Sequence, residues 1–515
     1  MTAVAHLINH AEMVVTGPKA LYDWRESQRH AVPDAQFTPR FRKFSSMVGR
    51  LIQGGMTEAS ARKKAAAVFW DGTYTPGKYC RQLRPGVWEF RGSRGLLERM
   101  SKALTITIDN QPPTCTPTHP TLTQLPEPQG TYQRVAFKAA VEYEWGRFAL
   151  ATNAGKGAVI ALLADFAAQL GVPVLILCDT ISVFDALMDE VTKWTSLSPA
   201  SVSQGIKRPP QDLVSIAMVP TLSKRLAAKT GDTAKVWRKW VGRHGMVLLD
   251  EADRADVATW RRILSNTKGS RWRLGFSGTF PNDSYEDLRL DVLMGPILLA
   301  AKNIDLIERN VSATPTVTLH QYDVTPMLTG GLKKWWELSG PARRRWVYEE
   351  AVMNNYARHD FIASLIRPNT PTAVIVNRVE HGHSVTRAIK GAVFLDGSTS
   401  PAQRRDVLRQ FRRGDIHILV VTKILDRGTN RLGHTTDLLF VSGEGSTKQT
   451  LQRIGRGLRR TDGKEFLRLV DIVDRVTFKS HERLLARAAK YLHTAARKRI
   501  QLYHDEGFTV EVTNG

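Results

Sequence analysis

The sequence predicts an α/β protein: two parallel-sheet units in tandem, preceded by a small α+β module. Three observations lead there. After residue 130, short apolar runs alternate with stretches of helical periodicity, as in a parallel sheet covered on both faces. The alternation pauses and then resumes, giving units of roughly 170 and 130 residues, within the usual size of a domain. Before them, the stretch Asn110 to Gly130 holds six prolines. These remove backbone donors and oppose helix, so the stretch separates the units from what precedes.

Residues 1–109 form the N-terminal module, in which Met47 to Val68 reads as an insertion. Residues 110–128 read as an extended linker. The first unit, 129–310, has strands expected at Phe148–Ala151, Val174–Cys178, Val214–Met218, Met246–Leu249 and Arg273–Phe276. Between the first two, Val159, Ile160, Leu162, Leu163, Phe166 and Leu170 share one helix face. The polar, Trp-rich stretch 311–345 reads as a connection. The second unit, 346–475, has strands expected at Thr372–Val376, Ala392–Leu395, Ile416–Val421, Asp437–Val441 and Leu467–Ile472. Residues 476–515 form a basic helix and tail. The helix, over Phe478–Tyr503, has Leu484, Leu485, Ala488, Tyr491, Leu492 and Ala495 on its apolar side and is expected to pack on the second unit.

Composition bounds the function. The chain has 73 Lys+Arg against 49 Asp+Glu, a surplus of +24. That points to a polyanionic partner, either nucleic acid or an anionic membrane surface. Hydrophobic residues at 42% and charged residues at 24% exclude wholesale disorder and a low-complexity fibre. Cys80, Cys115 and Cys178 lie far apart and in no CxxC pair, which argues against a zinc site or disulfide framework. Cys178 belongs to a buried strand and is expected to be inert. The opening MTAVAHLINHAEMVV lacks the basic region and apolar core of a signal peptide. No run approaches the roughly 18 apolar residues of a spanning helix. The expected location is the cytoplasm, with no membrane role.

Ligands of parallel sheets bind beyond the carboxyl ends of strands. There, Thr152-Asn153-Ala154-Gly155-Lys156-Gly157 joins the first strand to a helix. A small-residue turn at a helix N-terminus aims N–H groups and a positive dipole end at an anion. Lys156 adds a full charge where β- and γ-phosphates would sit. The loop departs from the usual P-loop twice: Asn153 stands at the early glycine and Gly157 at the Mg²⁺-binding Ser/Thr. Taken alone, it reads equally well as a plain strand–helix turn. Asp250-Glu251-Ala252-Asp253 follows the strand Met246–Leu249. Mg·ATP hydrolysis needs one carboxylate for the metal and another to orient water, and Asp250 and Glu251 supply both.

Asp250 to Asp253 spell the DEAD motif, and further segments fall in helicase order. Tyr132-Gln133 precedes the P-loop. Asp179-Thr180 and Pro220-Thr221-Leu222 stand where motifs Ia and Ib would be, and Ser277-Gly278-Thr279 is similar to a Ser-Ala-Thr motif. Thr422 to Asn430 is similar to motif V, and Gln452-Arg453-Ile454-Gly455-Arg456-Gly457-Leu458-Arg459 matches the arginine motif QRxGRxxR. Residues 129–475 thus resemble superfamily 2 helicases. The resemblance implies tandem RecA-like domains, ATP and Mg²⁺. It assigns Tyr132, Gln133, Thr152, Asn153, Ala154, Gly155, Lys156, Gly157, Gly428 and Asn430 to the nucleotide, Asp250 to the metal, and Glu251, Asp250, Arg456, Arg459 and Lys156 to catalysis. Ser277, Thr279, Gln452 and Arg453 would couple hydrolysis to movement. Thr180, Thr221 and Thr422 would touch the nucleic-acid backbone. The spacing of 453, 456 and 459 places all three guanidinium groups on one side of a helix.

In the N-terminal module, Phe37-Thr38-Pro39-Arg40-Phe41, Trp70-Asp71-Gly72 and Gly92-Ser93-Arg94-Gly95-Leu96-Leu97 resemble elements of phage UvsW-type and XPB-like helicases. That implies a DNA-binding module, with Arg40, Arg42 and Lys43 on the duplex, in an enzyme that unwinds or remodels branched DNA in replication, recombination or repair. Two alternatives stay open. Gly157 suits an ATP-binding clamp with weak or no hydrolysis, and the DEAD letters suit an RNA helicase.

Overall fold

Strands buried on both faces carry apolar side chains in succession, and every residue of Val174–Cys178 and Val214–Met218 is buried. They lie in the first of two seven-stranded sheets of a computed structural model. The structure describes the chain except residues 1, 34, 36–37, 111–114, 126, 128, 229–231, 282, 423–432, 443–446, 461–463 and 515. It describes the backbone alone at 39, 129, 401, 447–449, 452 and 514.

The first sheet runs, in spatial order, Ala200–Val202, Val214–Met218, Val174–Cys178, Met246–Asp250, Trp272–Ser277, Trp145–Leu150 and Ile297–Ala301, all parallel. The second runs Ala392–Leu395, Ile418–Val421, Thr372–Ile375, Asp437–Phe440, Phe466–Arg475, Thr314–Asp323 and Thr509–Asn514, also all parallel. These are two tandem RecA-like units. Uniform direction gathers the carboxyl ends of each sheet at one edge. Among the described residues, no helix is long and apolar enough to cross a membrane.

Two segments depart from the expectations. The stretch 311–345, read as a connection, opens with the ten-residue strand Thr314–Asp323, which lies inside the second sheet. It buries Pro315, Val317 and Leu319 and leaves the residues between them only partly covered, so it never forms a continuous apolar run. The tail supplies the strand Thr509–Asn514 at that sheet's edge. The helix before it, Arg483–Asp505, is fastened by a buried pair. Arg499 Nε and Nη2 donate to Asp471 at 2.7 and 2.9 Å, and the Tyr503 hydroxyl donates to the same carboxylate at 2.7 Å. Arg499 is therefore buried, while Arg497 and Lys498 beside it are exposed. Trp237 and Trp240 pack in the first unit's core.

The N-terminal module is a five-stranded mixed sheet of Ala3–Leu7, Glu12–Gly17, Tyr79–Arg84, Val87–Ser93 and Ile106–Ile108. The expected insertion, Met47 to Val68, is no separate element but most of a helical pair, Pro39–Gln53 and Glu58–Ala66, closed by Phe44, Val48, Ala61 and Ala65. Trp70-Asp71-Gly72 is a tight turn. Asp71 accepts from the Thr73 hydroxyl at 2.7 Å and Gly72 has φ +83°. The module docks on the first unit through Gly92 to Leu97. Ser93 Oγ donates to the Val292 carbonyl, Arg94 pairs with Glu144 at 2.6 Å, and Arg99 pairs with Asp287 and Asp291. Buried Arg147 holds the same two aspartates from the other side. The proline-rich stretch is also packed where it is described. His119 bonds Asp165 at 2.9 Å, and Leu122 and Leu125 enter the first unit's core.

Gly95 sets how closely the module sits, because a Cβ there would lie 2.1 Å from the Asp291 carbonyl oxygen. Backbone cannot retreat as a side-chain tip can. Gly95→Ala should cost about 1–3 kcal/mol or more of docking energy. It should speed proteolysis between the module and the first unit and lower the melting temperature. Unchanged cleavage would contradict this docking.

Candidate active site

The strand Trp145–Leu150 ends in Ala151 and turns through Thr152 to Gly155 into the helix Lys156–Gln169. Two residues make the turn with left-handed backbone, Asn153 and Gly155, both at φ +80°. The helix begins at Lys156, so its first free N–H groups line the loop. Lys156 Nζ donates to the Leu150 carbonyl at 3.0 Å, which folds the ammonium back over the loop mouth. Gln133 is buried against the turn, with Nε2 3.4 Å from the Gly155 carbonyl and Oε1 buried without a partner. Tyr132 donates to the Asp305 carbonyl at 3.2 Å, and the Arg309 guanidinium lies 4.9 Å from its ring centre.

Asp250 closes the strand Met246–Asp250, two strands away from the loop in the same sheet. Burial and the Glu251 charge raise its carboxyl to about 6, against the pull of Lys156 and the Glu251 N–H. Glu251 is also left-handed, at φ +55°, an uncommon conformation for a residue with a side chain. Its N–H donates to Asp250 at 3.0 Å. Asp253 accepts from the Ser277 hydroxyl at 2.9 Å, and Ser277 Oγ also lies 3.0 Å from the Thr279 carbonyl oxygen. Gly278 brings that turn against the loop. A Cβ there would lie 3.8 Å from Lys156 Nζ and 3.9 Å from the Thr152 nitrogen. The acidic segment, the Ser277–Thr279 turn and the loop thus meet at one edge.

The second unit meets the loop through the helix Thr447–Gly457. Asn153 Nδ2 donates to the Gly455 carbonyl at 2.8 Å and lies 3.4 Å from Ser312 Oγ. A Cβ on Gly455 would fall 2.7 Å from Thr152 Cβ. Arg456, next in sequence, is carried at this contact. Arg453 is buried and donates to Asn377 at 3.0 Å, inside its own unit. Arg459 departs from the one-face expectation. The helix ends at Gly457, and Arg459, exposed, pairs as an isolated bridge with Ser312. Gly428, Asn430 and the Gln452 side chain lie outside the described residues.

Thr180 and Thr221 follow adjacent strands at the carboxyl edge of the first sheet, and both are half-buried. Thr422 follows Ile418–Val421 in the second sheet and is buried, its N–H donating to the Leu395 carbonyl. Asp179 pairs with Arg254, just beyond the acidic segment. Arg40, Arg42 and Lys43 are exposed on the helix Pro39–Gln53 of the N-terminal module, and no described contact joins them to this edge.

Both departures in the loop acquire partners that sequence reading missed. The amide of Asn153 reaches the other unit, as a glycine could not. At Gly157, a Cβ would meet Glu190 at 2.8 Å from Cγ and 3.1 Å from Cδ. Glu190 belongs to the helix Ile181–Trp194 and accepts from Trp194 Nε1 at 2.7 Å. An acidic stem therefore fills the space that a side chain at 157 would take. Nothing in one sequence pairs position 157 with position 190.

Two families match the chain. "Type III restriction enzyme, res subunit" matches residues 129–282, and "Helicase conserved C-terminal domain" matches residues 358–461. The chain is 26% identical over 313 residues to a protein named "Putative DNA 3'-5' helicase Rad25" from Haloarcula marismortui, covering 59% of this chain and 46% of that one. It thus spans about half the length of that relative. It is 22% identical over 379 residues to "DNA 3'-5' translocase XPB2" from Sulfurisphaera tokodaii, covering 67% and 81%. The fold aligns with the structure of "ATP-dependent Type ISP restriction-modification enzyme LlaBIII bound to DNA" at TM-score 0.54 and 11% identity, over 76% of this chain and 31% of that one.

Gly157→Thr alone is expected to lower stability by about 1–3 kcal/mol through overpacking, and to weaken Mg·ATP binding. Adding Glu190→Ala should recover both. Thermal melts and fluorescent-nucleotide titration read the two effects. Tighter nucleotide binding by the single variant would contradict the clash.

Proposed function

From the two helicase-type family matches and the resemblance to XPB-type relatives, we propose that the chain is a superfamily 2 helicase, an ATP-driven motor that translocates on or unwinds DNA, including branched DNA. The observation that carries this reading is the bond from Asn153 to the Gly455 carbonyl. It holds the phosphate loop of one unit against the arginine helix of the other, so a nucleotide bound at the loop is sensed by both.

In this reading Lys156 and the loop N–H groups bind the phosphates, and the unpartnered Gln133 Oε1 accepts from the adenine amino group. Asp250 holds Mg²⁺, which takes few protein carboxylates and keeps its waters and phosphate ligands. ATP with Mg²⁺ supplies the phosphoryl group whose transfer to water drives the cycle. Glu251 orients that water, and Arg456 and Arg459 stabilise the charge developing at the γ-phosphate. Ser277 passes the change at Asp253 to the Thr279 turn. Thr180, Thr221 and Thr422 grip the strand's phosphates, and Arg40, Arg42 and Lys43 grip duplex ahead of the motor. The relatives' names support DNA as the track and 3′-to-5′ as the direction.

Glu190 at the place of the missing hydroxyl favours one other reading, an ATP-gated clamp that binds DNA without turnover. ATPase rates with single-stranded, duplex, forked and four-way DNA, and with RNA, separate the possibilities. The motor should hydrolyse ATP faster with DNA, and forked or four-way DNA should stimulate most. Lys156→Ala or Glu251→Gln should cut the stimulated rate by about 10²-fold or more. A rate indifferent to both substitutions refutes the motor. DNA affinity should fall with salt by about 0.7–0.9 log units per tenfold salt for each phosphate contacted.

A further inference from the structure

The second unit carries a basic, aromatic cavity of about 800 Å³ that none of the expected motifs touches. It lies between residues 335–348 and the outer face of the helix Arg483–Asp505. Both walls fall outside the family matches at 129–282 and 358–461. Trp335, 1% exposed, anchors one wall, and its Nε1 donates to the Arg343 carbonyl at 3.1 Å. Trp336 beside it is 42% exposed. The Arg343 guanidinium lies 4.4 Å from its ring centre and that of Arg487, from the opposite wall, 4.9 Å. Tyr491, Lys490 and Lys498 continue that wall, and among the described residues no acidic one lines the cavity. The opposite wall is rigid, since the buried Arg499–Asp471 pair fastens its helix to the sheet.

We propose that this groove binds a nucleic-acid strand, with phosphates on the cations and a base stacked on Trp336. Three features select that occupant. Cations without a lining carboxylate need a polyanion, in a chain whose surplus is +24. Guanidinium groups resting on an aromatic face are already ordered, so little rotamer freedom is lost when they bind phosphate. A flat indole flanked by cations is also the arrangement that stacks bases without regard to sequence. An incoming base displaces one guanidinium from the Trp336 face, and the freed group takes the adjacent phosphate. The groove thus holds a strand beside the motor's own track. It adds to the motor reading without needing ATP.

The test uses the full chain and a fluorescein-labelled oligothymidylate followed by anisotropy, with and without ATP. Trp336→Ala should weaken binding about tenfold, as loss of one stacked base does. Lys490→Glu with Lys498→Glu, both on exposed positions, should weaken it as much and flatten the salt dependence by about 0.7 log units per lost phosphate contact. ATPase measured without nucleic acid should match the unaltered protein for both variants, which shows that the fold is intact. Affinity and salt slope unchanged in both variants overturn the proposal. So does equal, variant-sensitive binding of polyglutamate or of phosphatidylserine vesicles, which would reduce the groove to a charge patch. If the unaltered chain hydrolyses no ATP yet the variants lose the oligonucleotide, the groove stands and the motor reading falls.

Discussion

The hydrogen bond from Asn153 to the Gly455 carbonyl, at 2.8 Å, is the contact on which the rest of the arrangement turns. It spans two separately wound sheets and joins a strand–helix loop in one to a helix in the other. Both sides are shaped for it. Asn153 takes a left-handed backbone that Asn tolerates better than most residues, and Gly455 leaves Thr152 the space a side chain would fill. Hydrolysis can drive mechanical work only if the occupant of the loop alters how the two units sit. Here the loop residue that would feel a phosphate is also the one bonded across the boundary.

A second theme is close approach bought by glycine. Gly95 admits the Asp291 carbonyl, Gly455 admits Thr152, and Gly157 admits Glu190. Each places a functional segment nearer to its neighbour than any side chain would permit. The N-terminal module, the arginine helix and the P-loop helix are therefore positioned by absent atoms as much as by contacts. Gly157, which looks like a damaged motif in the linear chain, is complementary in space to a specific acidic residue.

Much of this was legible in the sequence, and the limits follow from physics. Strands buried on both faces announce themselves as apolar runs, so Val174–Cys178 and Val214–Met218 were placed to the residue. Thr314–Asp323 was not, because one of its faces carries polar residues and its register is set by partners far along the chain. The candidate site was legible as far as order and spacing carry chemistry: a small-residue turn, a lysine, paired acids after a strand, recurring arginines. Its cross-unit bond and the Glu190 neighbour were not, since both are encounters between segments with no shared local pattern. Arg459 escaped the helix face because periodicity says nothing of where a helix stops.

The strand Thr509–Asn514 lies parallel to Thr314–Asp323, with Thr316 opposite Thr509 and Gln321 opposite Asn514. A ribosome delivers these partners far apart in time. Until residues 509–514 have been made, one edge of Thr314–Asp323 is open, able to recruit a foreign strand. Pairings of such long separation are also slow to form, because loop closure precedes their reward. The second sheet is therefore closed only after the first sheet, the arginine helix and the basic helix have all been made, and one side of its longest strands stays adhesive until then.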